Sequence, residues 1–132
     1  MNDLIKKEDE NNKYIIKYDS IVNLPKPFER FIFLLETTVA GTTCIKDIDK
    51  IIDSLNIRDD LILYREPDNP NDKHAIRIET INREKIGYVP RQNNVVISRL
   101  MDAGKKIVAE VTEIESRGNW FRILFAIFLH ES

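Results

Sequence analysis

The sequence has few of the residues that build disulfides and metal sites. Its 132 residues include one cysteine, Cys44, and two histidines, His74 and His130. A single cysteine excludes an internal disulfide and fits a reducing compartment, so we expect a cytoplasmic protein. No Cys-rich zinc site can be assembled from these residues, and neither a metal nor another cofactor is expected.

Glycine, proline and long apolar runs are also scarce. With Gly 4, Pro 5 and 42% hydrophobic residues, the composition excludes a collagen-like, low-complexity or disordered chain. The longest uncharged stretch near the C-terminus, Ile123 to Leu129, is far shorter than the roughly 20 apolar residues of a spanning helix. The charged start over residues 1–13 does not have the pattern of a signal peptide. We therefore expect one folded domain that does not associate with a membrane.

Sequence motifs of catalysis are missing as well. The chain contains neither a GxxxxGK[ST] nor a GxGxxG phosphate loop, and none of Ser54, Ser98 and Ser116 lies in a nucleophile-elbow pattern. The oxygen-rich stretch over 68–72 departs from calcium-loop spacing, because Pro70 occupies a position that should carry a ligand. Its Asp and Asn side chains are expected to cap the loop's own amides. Cys44 is expected to be a small buried or half-buried residue. We do not expect an enzyme.

Charge is balanced overall but uneven along the chain. Lys plus Arg 20 against Asp plus Glu 22 gives a net charge of −2, which does not predict indiscriminate binding to nucleic acids. Residues 83–107, however, contain six basic and two acidic residues and carry a local charge of +4. A local basic face on an acidic protein is therefore expected.

Hydrophobic periodicity predicts a strand-rich domain with two helices. In the second helix, Val96, Ile97, Leu100 and Met101 are expected to form the buried stripe. The last strand is apolar on both faces and should be central in its sheet. Strands are expected over 31–39, 61–65, 75–80, 85–89, 107–115 and 120–129, and helices over 45–55 and 91–103.

This order of elements indicates an all-β fold with two helices (α+β). The expected architecture is a small OB-like, partly open β-barrel of about six strands. Residues 1–30 are expected to form an N-terminal extension, partly disordered, in which 13–18 is able to form an extra strand.

Three segments of the chain carry a more specific signal: LILYREPDNPNDKHAI at 61–76, IGYVPR at 86–91 and LMDAG at 100–104. In order and spacing they resemble the HIRAN domain family. The resemblance covers residues 31–129 and predicts a HIRAN-like domain over 31–130. It implies an OB-like module that recognises single-stranded DNA 3′-hydroxyl ends in repair and replication. Larger relatives fuse this module to other domains, so helicase-type or nuclease-type proteins are expected partners, and any ATPase or zinc chemistry belongs to the fused domains.

The resemblance also implies roles for individual residues. Asp72 matches the family's Asp, and an ionised carboxylate accepts a hydrogen bond from a 3′-hydroxyl but repels a 3′-phosphate. Tyr88 stands where the family has a ring or His, and Arg91 where it has a basic residue for a phosphate. The candidate nucleic-acid-binding residues are Asn69, Asn71, Asp72, Lys73, Tyr88 and Arg91, with Trp120 as a candidate stacking platform.

The sequence departs from the family pattern at positions that carry aromatic rings in the DNA-binding relatives. Asn71 replaces a Tyr, and Thr42, Thr43 and Cys44 stand where those relatives have Arg and two tyrosines. Stacking contributes about 1–3 kcal/mol per base, so end binding should be weaker here. A second hypothesis therefore stays open: a protein-interaction or accessory module with weak or no DNA binding, whose residues 13–18 could add a strand to a partner's sheet.

Overall fold

The structure, a computed structural model, describes residues 29–118 and 120–131. The predicted extra strand over 13–18 lies outside the described residues. The strands are β1 (Arg30–Thr38), β2 (Asp60–Arg65), β3 (Ile76–Thr80), β4 (Lys85–Tyr88), β5 (Lys106–Arg117) and β6 (Trp120–Glu131). The helices are α1 (Ile48–Asp53) and α2 (Arg91–Asp102), and a 3-10 turn covers Thr42–Cys44.

The six strands form one sheet in the order β1-β6-β5-β2-β3-β4. The pairs β2–β3, β2–β5 and β3–β4 are antiparallel. Just after β1, Ala40 pairs with Tyr88 at the end of β4: the Ala40 N–H donates to the Tyr88 carbonyl at 2.8 Å, and the Tyr88 N–H to the Ala40 carbonyl at 2.9 Å. The two edges of the sheet therefore meet at one point, and the predicted OB-like, partly open barrel with two helices is confirmed.

Gly87 makes this meeting of the edges geometrically feasible. Its φ is +154°, and a Cβ at this position would lie 2.6 Å from Val39 Cγ1 and closer still to the Ala40 carbonyl oxygen. Only a residue without a side chain allows β4 to approach the 39–40 segment this closely.

The core lies around the middle of β6, as its two apolar faces predicted. Ile123, Phe125 and Ile127 are fully buried on one face, and Ala126 and Phe128 are buried on the other. β6 lies between β1 and β5 and is not an edge strand. The prediction of a central strand is confirmed.

Three details of the sequence prediction are wrong. The first helix starts at Ile48 and not at Ile45, because the 3-10 turn occupies 42–44 and Asp47 has a left-handed φ of +59°. Val96 is 64% exposed, since α2 buries Asn94, Ile97 and Ser98 instead. Cys44, which is small enough for the core, lies exposed at the end of the 3-10 turn.

The described residues divide into two compact units, one within residues 33–129 and the other made of residues 29–32 with 130–131. In the smaller unit, the Glu29 carboxylate lies 2.9 Å from His130 Nε2, and Phe31 stacks on the His130 ring with a centroid distance of 4.5 Å. The predicted boundary between an extension over 1–30 and a domain over 31–130 stays a prediction. Among the described residues, no helix has the length and apolar character needed to cross a bilayer.

Candidate nucleic-acid interface

The long loop between β2 and β3, residues 66–75, is held by its own short polar side chains. Asn69 Oδ1 accepts hydrogen bonds from the backbone N–H groups of Asn71 at 2.8 Å and Asp72 at 3.2 Å. Asp72 Oδ1 accepts one from the His74 N–H at 2.9 Å. This is the amide capping expected from an Asn- and Asp-rich loop that contains two prolines.

An arginine at the end of β2 fastens the loop to the end of α2. Arg65 donates from Nε and Nη2 to the two carboxylate oxygens of Asp102, at 2.8 and 3.1 Å. It also donates to the carbonyl oxygens of Ala75 at 2.7 Å and Lys73 at 3.1 Å. The hydrogen bond from Arg65 lowers the pKa of Asp102 below its ordinary value. The first and the last of the three sequence segments thus bind each other.

Glu66 connects the loop to β3 and β4. Its Oε1 accepts hydrogen bonds from Asn69 Nδ2 at 2.9 Å and from the Tyr88 hydroxyl at 2.8 Å. Its Oε2 lies 3.2 Å from Arg77 Nη1. Burial raises the pKa of Glu66, but the hydrogen bonds from Asn69 and Tyr88, together with the charges of Arg77 and Lys85, bring it below its ordinary value. The carboxylate therefore stays ionised and fixes the Tyr88 ring.

Asp72 is oriented from the first turn of α2. Asn94, which is 2% exposed, donates from Nδ2 to Asp72 Oδ2 at 2.8 Å, and Arg91 Nε lies 3.7 Å from the same oxygen. The Asn94 hydrogen bond and the His74 N–H lower the pKa of Asp72, with a further contribution from the Arg91 charge.

The Asp72 carboxylate retains capacity to accept another hydrogen bond. The hydrogen bonds from the His74 N–H and from Asn94 use one position on each oxygen, whereas an ionised carboxylate offers about four. Its side chain is 19% exposed. The group is thus held in a fixed orientation, is negatively charged, and can accept a hydrogen bond from a hydroxyl group.

A groove of about 220 Å³ opens beside this carboxylate, and we call it the end groove. Its walls come from the segment after β1, the β2–β3 loop, the end of β4 and the start of α2. The lining residues are Ala40, Gly41, Asn69, Asn71, Asp72, Ala75, Tyr88, Val89, Arg91 and Asn94.

Five of the seven predicted site residues border the end groove: Asn69, Asn71, Asp72, Tyr88 and Arg91. Arg91 is 75% exposed in its side chain and donates to the Asn71 carbonyl at 3.1 Å. The other two predicted residues do not line it. Lys73 is exposed on the loop, and Trp120 is 47% exposed at the start of β6.

Two residues of the site were missed from the sequence, Glu66 and Asn94. Glu66 lies inside the 61–76 segment, but its acceptor role depends on Tyr88, which is 22 residues away. Asn94 occupies the buried face of α2 with Ile97 and Ser98, at spacings of three and four. A polar residue on the buried face of a helix could have indicated this role from the sequence, because a buried polar side chain needs a hydrogen-bond partner.

The described residues thus form a curled sheet whose β2–β3 loop is tied to a covering helix by Arg65–Asp102 and Asn94–Asp72. The family model described as HIRAN domain matches residues 32–132, and the chain belongs to this family.

Two curated relatives and three solved structures are similar to the chain. The helicase-like transcription factors of Mus musculus and Oryctolagus cuniculus are each 33% identical over 48 residues, which is 36% of this chain and 5% of theirs. The chain thus spans only about a twentieth of the length of these relatives. A Lactobacillus plantarum protein of known crystal structure is 26% identical with a TM-score of 0.72, covering 79% of this chain and 99% of that one.

The other two structures are HIRAN domains of HLTF, the crystal structure being of the human protein, and they show the fold alone. The crystal structure has a TM-score of 0.61 at 19% identity, covering 80% of this chain and 82% of that one. The NMR structure, described as the DNA-bound conformation, has a TM-score of 0.54 at 20% identity and covers 76% of this chain and 78% of the other.

Proposed function

We propose that the chain is a non-enzymatic DNA-binding module that recognises single-stranded ends with a free 3′-hydroxyl. The observation that carries this proposal is the end groove, with an ionised, incompletely satisfied carboxylate on one wall and a guanidinium 3.7 Å from it. The DNA-bound conformation of the HLTF HIRAN domain supports DNA as the ligand class.

The chemistry of the groove discriminates between the two forms of a strand end. A terminal 3′-hydroxyl donates to the Asp72 carboxylate, whereas a 3′-phosphate brings two negative charges together. Arg91 neutralises the phosphate that precedes the terminal sugar, assisted by the positive end of α2. Tyr88, fixed through its hydroxyl by Glu66, offers its ring to the terminal base.

The proposal is tested by fluorescence anisotropy with a labelled trinucleotide that ends in either a hydroxyl or a phosphate. The wild-type protein should bind the hydroxyl form on the order of tenfold more tightly, because one charge-assisted hydrogen bond contributes about 1.5 kcal/mol or more. Asp72→Asn should bind both forms alike while remaining folded, with a modest fall in melting temperature because the carboxylate held by Asn94 and the His74 N–H is no longer charged.

Asp68→Asn is the matched control, since Asp68 is an exposed carboxylate in the same loop. It should retain the wild-type ratio. Equal binding of the two ends by the wild-type protein, or no binding at micromolar protein, would remove the proposal.

A second candidate function, the accessory module, is favoured by one observation. Tyr88 is the single aromatic ring among the lining residues of the end groove, so stacking on this surface is limited to one base. Failure of every oligonucleotide to bind in the same assay is the result that this candidate predicts.

A further inference from the structure

A second cluster of cations and rings lies outside the end groove, on the outer surface of the β2–β3–β4 sheet. Tyr64 pairs with Arg77 across β2 and β3, and Arg77 pairs with Tyr88 across β3 and β4. Directly paired residues project from the same face of a sheet. The alternate residues of β3, Ile76 and Ile78, are fully buried on the opposite face. We call the cluster of Tyr64, Arg77, Arg83 and Lys85 the hairpin face.

The hairpin face is continuous with the end groove. Tyr88 borders the end groove, and Lys85 Nζ lies over the Tyr88 ring at 4.5 Å from its centroid. Two strand spacings separate Tyr88 from Tyr64, a distance of about 10 Å. The guanidinium carbons of Arg77 and Arg83 lie 5.3 and 5.8 Å from the Tyr64 ring centroid. Cations and rings therefore alternate from the groove outward.

Two of the three cations are available to a ligand. Arg77 is engaged, with Nη1 3.2 Å from Glu66 and Nε 2.8 Å from Glu79. Within residues 29–118 and 120–131, neither Arg83 nor Lys85 forms a salt bridge. The two carboxylates on this face are mostly covered, with side chains 22% and 10% exposed, and Arg77 contacts both. An approaching anion thus meets net positive charge.

The backbone conformation of Arg83 also suggests that its side chain does more than complete the β3–β4 turn. Its φ is +69°, a left-handed conformation that Gly, Asn or Asp adopts more readily. In the β3–β4 turn the Arg83 N–H donates to the Thr80 carbonyl at 2.9 Å, and the guanidinium is placed over Tyr64. A bulky cation at a position that disfavours it is a reason to look for a ligand of that cation.

We propose that the hairpin face binds the sugar-phosphate backbone of the nucleotides that precede the terminal one, with Arg83 and Lys85 each contacting a phosphate. The proposal rests on the proposed function, because it takes the strand end to occupy the end groove. The two surfaces together form a track that begins at the 3′ terminus and crosses Tyr88 and Tyr64. The affinity for single-stranded DNA should therefore increase as nucleotides are added on the 5′ side.

The test measures affinity and its salt dependence for a trinucleotide and an octanucleotide that share the same 3′-hydroxyl end. The wild-type protein should bind the octamer more tightly and with a steeper salt slope. Each phosphate contact on a single strand contributes about 0.7 to that slope. Arg83→Asn with Lys85→Gln should lower the octamer slope by about 1.4 and its affinity on the order of tenfold at about 0.15 M salt, with little change for the trinucleotide.

Two further variants keep the test sharp. Arg83→Asn alone should not strain the turn, because Asn readily adopts the left-handed backbone of this position. It leaves Lys85 over the Tyr88 ring and should give about half of the change in the octamer salt slope. Lys50→Gln with Lys106→Gln removes the same charge from exposed positions on α1 and β5, and it should bind the octamer like the wild type.

The outcomes separate this proposal from the proposed function. A hydroxyl preference without any gain from length, or an unchanged octamer slope in the Arg83 and Lys85 variant, overturns the hairpin face alone. A length gain that disappears in that variant, without a hydroxyl preference, supports the hairpin face and overturns end recognition.

Discussion

At the scale of single residues, the polar side chains of the loop act mainly by holding one another. Asn69 is committed to the amides of Asn71 and Asp72 and to Glu66, which leaves Asp72 as the group aimed at the groove. The resemblance in sequence gave Asp72, Tyr88 and Arg91 as candidate binding residues. It did not identify their supports, because such hydrogen bonds join residues that are remote in sequence and depend on the folded geometry.

Asn94 should be the support on which end discrimination depends. Asn94→Ala removes the hydrogen bond to Asp72 Oδ2 and should reduce the free energy of unfolding by about 1–2 kcal/mol. With the carboxylate no longer held, the hydroxyl-to-phosphate affinity ratio should fall toward one. Urea denaturation and anisotropy on the same preparation measure both effects.

A double-mutant comparison separates positioning by Asn94 from a general loss of stability. Asp72→Asn should already lose the preference for the hydroxyl form, so adding Asn94→Ala should lower the free energy of unfolding further without changing the affinity ratio. The control is Gln92→Ala, an exposed position on the same helix. An affinity ratio that survives in Asn94→Ala would contradict the positioning role.

At the scale of elements, the positions of helices and strands were predictable, whereas the faces they bury were less so. α2 was expected over 91–103 and occupies Arg91–Asp102, with Gly104 in left-handed geometry just after it. Its buried face follows Asn94, Ile97 and Ser98 rather than Val96. Hydrophobicity alone selects the wrong stripe here, because the helix covers a polar loop: Ser98 Oγ lies 3.1 Å from His74 Nδ1.

β4 should be the element least tolerant of an added methyl group. Gly87→Ala places a Cβ against Val39 and Ala40 and should reduce the free energy of unfolding by about 2–3 kcal/mol. Gly104→Ala is the matched control, because Gly104 also has a positive φ of +86° but nothing within 4 Å of the added carbon. The control should lose only about 1 kcal/mol. Equal losses in urea denaturation would mean that β4 does not approach the 39–40 segment as closely as the structure has it.

At the scale of the whole molecule, the order of elements predicted the class of fold, but the composition did not predict where charge is concentrated on the surface. The net charge of −2 conceals a hairpin face that is basic because Arg77 covers two carboxylates and leaves Arg83 and Lys85 without salt bridges in the described part of the chain. Counting charges along 83–107 indicated a basic region, but it could not show that Arg77, outside that window, is what makes the face basic.

Stability should fall in acid through the carboxylates that hold the loop. The pKa values of Glu66, Asp72 and Asp102 are all lowered in the folded protein, from ordinary values of 4.5, 3.8 and 3.8. Their contribution is therefore complete above those values and is lost as the pH falls through the lower folded pKa values. Urea midpoints should be constant from about pH 6 to 5 and decrease below about pH 4.5.

Glu66→Gln provides the comparison for this pH profile, because it removes one of the three titrating groups. Its midpoint should be lower near neutral pH and should decrease less steeply on acidification. A wild-type midpoint that stays constant down to pH 3 would contradict the lowered pKa values.

The bridge between Ala40 and Tyr88 has a consequence for the order in which the protein is completed. It joins residues 48 positions apart, and Asp72 acquires its α2 partners only when Asn94 is also present. Pairings this distant along a chain close late, since the loop between them must first be ordered. A ribosome must therefore synthesise most of the domain before the end groove exists, and a peptide that carries only residues 66–75 would have no groove at all.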